Sequence, residues 1–123
     1  MKKRETPETP IKKAVQALID LNQIPGFHYR QNTGALLVGK RFVRFGYTGS
    51  ADFTGILPDG KRVEIECKAP KGVLSKEQKA FKKKIEENNG IYLVVREVDD
   101  ILKPLTQLGY INGKKTKKTK KKD

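Results

Sequence analysis

Three side chains in one short run have the types and spacing for hydrolytic chemistry: Glu64, Glu66 and Lys68, within Arg62-Val-Glu-Ile-Glu-Cys-Lys68. In an extended strand, residues two apart point to the same face. The two acids and the lysine therefore share one side, and Val63, Ile65 and Cys67 share an apolar side. Upstream stands Asp52, separated from this run by Leu57-Pro58-Asp59-Gly60-Lys61. Proline presets φ for the first turn position and glycine accepts a left-handed one, which describes a three-residue hairpin loop closing on a glycine bulge. In that loop Leu57 pairs with Lys61, and counting back sets Asp52 opposite Glu66. A two-residue Asp-Gly loop would set Asp52 opposite Cys67, on the apolar face. The three-residue loop is preferred because it also gathers Phe53, Leu57, Val63 and Ile65 on one side.

Two carboxylates facing each other repel and call for a cation. Hard oxygen donors suit Mg²⁺ or Mn²⁺, and such an ion can polarise a phosphoryl oxygen or lower the pKa of a bound water. Lys68 is placed to hold the attacking water or to offset charge in the transition state. Asp52, Glu66 and Lys68 are thus the candidate catalytic residues.

An aspartate, a short hairpin and Glu-x-Lys resemble the PD-(D/E)XK nuclease superfamily. More closely, Gly46-Tyr-Thr-Gly49-Ser-Ala-Asp52, then Glu66-Cys-Lys68, then Ser75-Lys-Glu-Gln78 is similar to its VRR-NUC (virus-type replication-repair nuclease) branch. Arg30-Gln-Asn32-Thr-Gly34 and the opening Glu8-Thr-Pro-Ile11 also fit, so the likeness runs from Glu8 to just past Ile91–Val95. Ala51 departs from the superfamily name, standing where proline would be; that position supplies no ligand. The resemblance implies a restriction-endonuclease-like α/β fold and a metal held by Asp52, Glu66 and the Cys67 main-chain carbonyl. It further implies that Glu8 helps bind the metal and that Gln78 reaches the metal centre or its water.

The elements that must position these residues are legible in order. Met1–Thr9 is polar, holds Thr-Pro twice, and reads as a mobile arm. Pro10 suits the first position of a helix capped by Thr9. Ile11, Val15, Leu18 and Ile19 then form a buried stripe at helical spacing, ending near Asn22 before Pro25-Gly26. A favourable charge near that helix start is the plain alternative for Glu8. Phe27–Gln31 reads as a strand, and Ala35–Val38 with Arg41–Phe45 as a hairpin about Gly39-Lys40. Gly46–Ser50 is a glycine-punctuated loop whose amides suit either a phosphate or an ordinary turn. His28, the sole histidine, reads as satisfied or surface-exposed, because a carboxylate site needs no imidazole.

Ser75-Lys-Glu-Gln78 matches a capping box opening a helix from Lys76 to about Asn88. Leu74, Phe81 and Ile85 are its inner stripe, Gln78 lies on that stripe, and Asn88-Asn89-Gly90 is a left-handed stop. Ile91–Val95 reads as an inner strand, Asp99–Lys103 as a short helix before Pro104, and Leu105–Ile111 as the closing segment. The expected order is helix, antiparallel strands, helix, strand, giving a mixed sheet flanked by helices. The helix between Arg62–Lys68 and Ile91–Val95 is a crossover, so those strands should run parallel with right-handed connection.

The chain has 123 residues, one domain's length, and 36% hydrophobic residues. Its formal charge is +13, of which the tail Lys114–Asp123 carries +6 (seven lysines, one aspartate), leaving a basic body of +7. The domain is read as 10–113 and the tail as disordered by itself. Nucleic acid is the expected polyanionic partner, and the expected contacts are Arg30, Asn32, Arg41, Arg44, Ser50, Lys71, Lys76, Lys79, Lys114 and Lys115. No long apolar run or acylation motif points to a membrane, and the polar start is unlike a signal peptide. A single cysteine and a single histidine exclude an intrachain disulfide and a zinc site. The compartment expected is the cytoplasm of a bacterium or phage-infected cell.

The expectation is therefore a Mg²⁺- or Mn²⁺-dependent DNA endonuclease without a small-molecule cofactor, acting as a homodimer on branched DNA, four-way junctions foremost. Its expected interface is an apolar patch of Leu36, Leu37, Phe42, Phe45 and Tyr47. The rivals are a monomeric nickase or flap nuclease, a basic DNA-binding module without catalysis, and a small RNA-associated protein. Acids in a phosphate-binding groove weaken binding unless a metal sits there, which is what separates nuclease from pure binder.

Overall fold

The computed structural model describes residues 7–31 and 34–112, with 34–36, 44 and 45 as backbone only. Asn32, Lys114 and Lys115, with most of the expected arm and the whole tail, lie outside the described residues. Helix α1 (Thr9–Asp20) leads to β1 (Phe27–Arg30), β2 (Gly34–Val38), β3 (Arg41–Phe45), β4 (Phe53–Ile56) and β5 (Arg62–Cys67). Then follow α2 (Lys76–Glu87), β6 (Ile91–Val95) and α3 (Asp99–Gln107). The chain is mixed α/β: four strands in the order β1-β4-β5-β6 form one mixed sheet flanked by helices.

The hairpin of β4 and β5 has the register its loop chemistry demands. Phe53 pairs with Ile65 and Ile56 with Arg62. Beyond them the Leu57 N–H donates to the Lys61 carbonyl at 2.8 Å, and Gly60 takes φ 95°. One face of the hairpin (Phe53, Leu57, Val63, Ile65 and Cys67) is buried in the main core with Ile11 and Val15 of α1 and Ile101 and Leu105 of α3. Removing this much apolar surface from water is the principal stabilising term. Strand β6 runs parallel to β5, with Glu64 beside Tyr92 and Glu66 beside Val94, as a helical crossover requires.

Four expectations need correction. Glu8, not Thr9, occupies the cap position of α1, because its carbonyl already accepts the Lys12 N–H at 3.1 Å; the Glu8 side chain makes no cap bond. Strand β6 is an edge strand, not an inner one; its burial comes from α2 and α3 rather than from a strand on either side. Helix α3 runs through Pro104 instead of stopping before it. A proline inside a helix costs about 3 kcal/mol, which here is offset by Ile101 and Leu105, one turn apart and both fully buried, and by Asp100, whose carboxylate accepts the Arg96 and Glu97 N–H groups at 2.8 and 3.2 Å. Finally, the strands do not all join one sheet: the expected β2–β3 hairpin forms, but among the described residues it stands as a separate two-stranded sheet, while β1 pairs with β4.

Candidate active site

Strand alternation brings the acids to the face opposite the main core. Asp52 sits one residue before β4, so the register sets it across from Glu66. Its Oδ2 accepts the Cys67 N–H at 2.8 Å. A strand residue's N–H and C=O point to the same edge, which turns the Cys67 carbonyl toward Asp52 as well. Lys68 follows β5, with its Nζ 3.7 Å from Glu66 Oε2. From α2, Gln78 Nε2 donates to the same Glu66 oxygen at 3.0 Å.

Gln78 holds two roles at once. Its Oε1 accepts the Ser75 N–H at 2.9 Å and its own N–H donates to Ser75 Oγ at 3.1 Å, completing the capping box. The site and the start of α2 therefore share one side chain.

Glu66 is only 4% exposed, and its Oε1 is buried without a hydrogen-bond partner among the described residues. Burial first, and then the neighbouring Asp52 carboxylate, raise its carboxyl to about 7 against the opposing pull of Lys68 and Lys12. Burial likewise pushes the Cys67 thiol up to about 12, with Asp52 and Glu66 adding to it, so this thiol stays protonated and is no nucleophile. The Tyr92 phenol is raised first by burial and then by Glu66, Asp52 and Glu64, and its hydroxyl too is buried without a partner among the described residues.

Glu64 shares the acidic face with one oxygen engaged and the other, Oε1, buried without a hydrogen-bond partner among the described residues. Its Oε2 takes the Thr54 hydroxyl and the Arg62 Nε–H, the latter at 2.7 Å, and the side chain is fully buried. No two acids here are joined by a third. The described residues contain no group of three or more His, Cys, Asp or Glu side chains able to hold a metal ion. Glu8 stands one helical turn before Lys12, on the helix face from which that lysine reaches Asp52. The oxygen donors that fit a hard cation are the Asp52 and Glu66 carboxylates and the Cys67 carbonyl, and the orphaned Glu66 Oε1 is the atom with a bond still to offer.

Two supporting groups carried no local signal. Lys12 Nζ lies 3.7 Å from Asp52 Oδ1, although nothing in a helix stripe foretells which strand end it meets. Tyr92 enters the acidic face from β6 only because that strand lies parallel beside β5. The other expected residues are spread over the surface. Arg30 lies on the main-core side, its guanidinium 5.8 Å from the Phe53 ring. Arg41, Lys71, Lys76 and Lys79 are exposed, and Arg44 is described as backbone. Ser50 gives its N–H and hydroxyl to the Tyr47 carbonyl, at 3.0 and 2.5 Å; the loop is a closed turn and that amide is not offered to a phosphate. Lys82 and Lys83 pair along α2 with Glu86 and Glu87. His28 is buried, with Nε2 2.7 Å from the Pro25 carbonyl.

Among the described residues no helix is long and apolar enough to cross a membrane. In comparison with known proteins, no family model matches the chain, and no curated protein matches it.

Proposed function

We propose that this chain is a Mg²⁺- or Mn²⁺-dependent DNA endonuclease with the restriction-endonuclease-like fold of the VRR-NUC branch. The observation that carries the reading is the register of one hairpin: Asp52 lies across from Glu66, with Lys68 and Gln78 both directed at Glu66. Asp52, Glu66 and the Cys67 carbonyl would hold the ion, which supplies Lewis-acid polarisation of a phosphoryl oxygen and activation of water when bound.

The chain's own residues do the rest. Gln78 fixes Glu66 through Oε2 and leaves Oε1 free. Lys68, only 15% exposed at its side chain, keeps a preorganised positive charge beside the reacting phosphate, where it is worth more than in water. Lys12 balances Asp52 before the cation arrives. The exposed lysines Lys71, Lys76 and Lys79 draw the DNA backbone to this end of the sheet. The compartment proposed with this reading is the cytoplasm of a bacterial or phage-infected cell.

One such centre holds one scissile phosphate, so paired cuts in a branched substrate need two chains related by a two-fold axis. The apolar side chains of Leu37 and Phe42, 63% and 75% exposed, support the β2–β3 hairpin as that interface. Sedimentation at micromolar protein should give a dimer, and a four-way junction should receive paired cuts. A monomer that only nicks would leave the nickase or flap-nuclease reading.

The decisive test is incubation with linear, nicked and branched DNA in Mg²⁺, Mn²⁺ or chelator. Cleavage should require metal and vanish in Asp52→Ala and Glu66→Ala, while both variants still bind DNA in chelator. Cleavage at the wild-type rate by either variant removes the site. No cleavage by the native chain under any condition leaves a DNA-binding module.

A further inference from the structure

The face of the sheet that carries Glu64 and Glu66 is only half covered. Helix α2 lays Phe81 and Ile85 over its β5–β6 side, against Tyr92. Among the described residues the β1–β4 side is open. Phe27 and Tyr29 point there, because they pair with Ile56 and Thr54, and Thr54 pairs in turn with Glu64. They are 65% and 51% exposed, with ring centroids 5.5 Å apart. A lone exposed aromatic needs no explanation, but two in contact on a strand of only four residues do.

The open area is a trough. Two hollows of about 410 and 420 Å³ share Gln31 and Arg62. The first is floored by Phe27 and Tyr29, and the second continues past Tyr47 to Lys84. Arg62 is fixed by Glu64 yet 54% exposed at its side chain, and Glu64 beneath it is wholly buried. Cations therefore face the trough while the acid does not. Its midpoint adjoins the backbone that carries Asp52: the Gln31 N–H donates to the Asp52 main-chain carbonyl at 2.8 Å and the Gln31 side chain to the Ala51 carbonyl at 3.2 Å.

Aromatic rings on an open sheet, interleaved with Arg and Lys, are what stacks unpaired bases and tracks their backbone. A duplex cannot use such a surface, because its base faces are already stacked on one another. We infer that the Phe27–Tyr29 trough takes an unpaired segment of the DNA substrate, stacking its bases while the adjoining phosphate lies at Asp52 and Glu66. This deepens the nuclease reading and rests on it. The basic body and the continuity with the acidic pair favour a nucleic acid over a second copy of the chain as the occupant.

The test uses the full chain in chelator with a fluorescent ten-residue oligo(dT) and a duplex of equal length. Phe27→Leu/Tyr29→Leu should weaken oligo(dT) binding by about 10- to 100-fold, in keeping with the loss of base stacking, and should change duplex binding by less than about twofold. Tyr29→Phe should bind as the native chain does. In the unaltered protein, photocrosslinking to 5-bromodeoxyuridine should map to Phe27 or Tyr29, a readout independent of how the variant folds. Unchanged oligo(dT) binding in the double variant, or crosslinks confined to the lysine tail, overturns the trough and leaves metal-dependent cleavage standing. Failure of the native chain to bind oligo(dT) also overturns it and returns this face to a protein partner. If the trough variants lose oligo(dT) but the native chain cleaves nothing in either metal, the nuclease reading fails and a single-strand-binding surface remains.

Discussion

Gln78 of α2 donates to Glu66 of β5 at 3.0 Å while its carbonyl oxygen caps its own helix. One side chain therefore couples helix initiation to the orientation of a buried carboxylate. Removing the other half of the capping box, the Ser75 hydroxyl that accepts the Gln78 N–H, separates the helix role from the site role. Ser75→Ala should cost about 1 kcal/mol, the typical value of an N-cap, and leave cleavage nearly unchanged. Gln78→Ala should cost a similar amount and also lower the cleavage rate, because Glu66 loses its orienting donor. Denaturant melts beside single-turnover rates would show this, and equal rates in the two variants would reduce Gln78 to a cap.

Lys68 offers the sharpest catalytic contrast with Lys12. Both ammonium groups stand 3.7 Å from a carboxylate oxygen of the site, but only Lys68 directly follows the strand that presents Glu66. Lys68→Ala should lower the metal-dependent rate by about 10²–10³, as loss of a preorganised charge does. Lys12→Ala should change it by less than about tenfold, its effect being on Asp52 rather than on the phosphate. Equal losses would assign Lys12 to the reacting group as well.

Metal-free stability should fall as pH rises toward neutrality. Glu66 titrates near 7 when folded, against an ordinary value of 4.5. The folded state therefore binds more protons than the unfolded one between these limits, and that stabilisation is complete below about 4.5 and gone above about 7. On the order of 2 kcal/mol should be lost across the window, less than the full shift implies because the site opens to solvent at its edge. Glu66→Gln should flatten the curve in chelator. A profile unchanged by that substitution would mean that other groups set the pH dependence.

Gly49 fixes the Tyr47 loop against α2. It takes φ 86°, and a Cβ there would lie 2.4 Å from the Glu77 carbonyl oxygen. Gly49→Ala should destabilise by about 2 kcal/mol or more, combining a left-handed backbone with a clash against backbone. Thermal melting measures this directly, and a loss below about 0.5 kcal/mol would show that the loop yields.

Binding should depend steeply on salt. Deleting Lys114–Asp123 removes +6 of the +13 formal charge and should flatten the log–log slope by about 0.9 for each phosphate that the shortened chain no longer neutralises, with metal-dependent cleavage retained. An unchanged slope would mean that the tail does not touch DNA.

What the sequence by itself determined is whatever neighbouring residues enforce through backbone geometry. Pro58-Asp59-Gly60 set the loop type, the loop set the register, and the register put Asp52 opposite Glu66 and sent Phe53, Leu57, Val63 and Ile65 to the core. Ser75 and Gln78 specified the start of α2, and Asn89, at φ 67°, its end. Each rests on interactions between residues close along the chain. Tertiary structure decided the rest. Thr54 and Arg62 engage one oxygen of Glu64; Lys12 reaches Asp52 across forty residues; β2 and β3 stand apart while β1 joins β4; and α3 continues through Pro104 because Ile101 and Leu105 are buried on both sides of it. None of these follows from local preference, because each compares a local cost with burial and charge supplied by a distant element, and only the packed chain sets that balance.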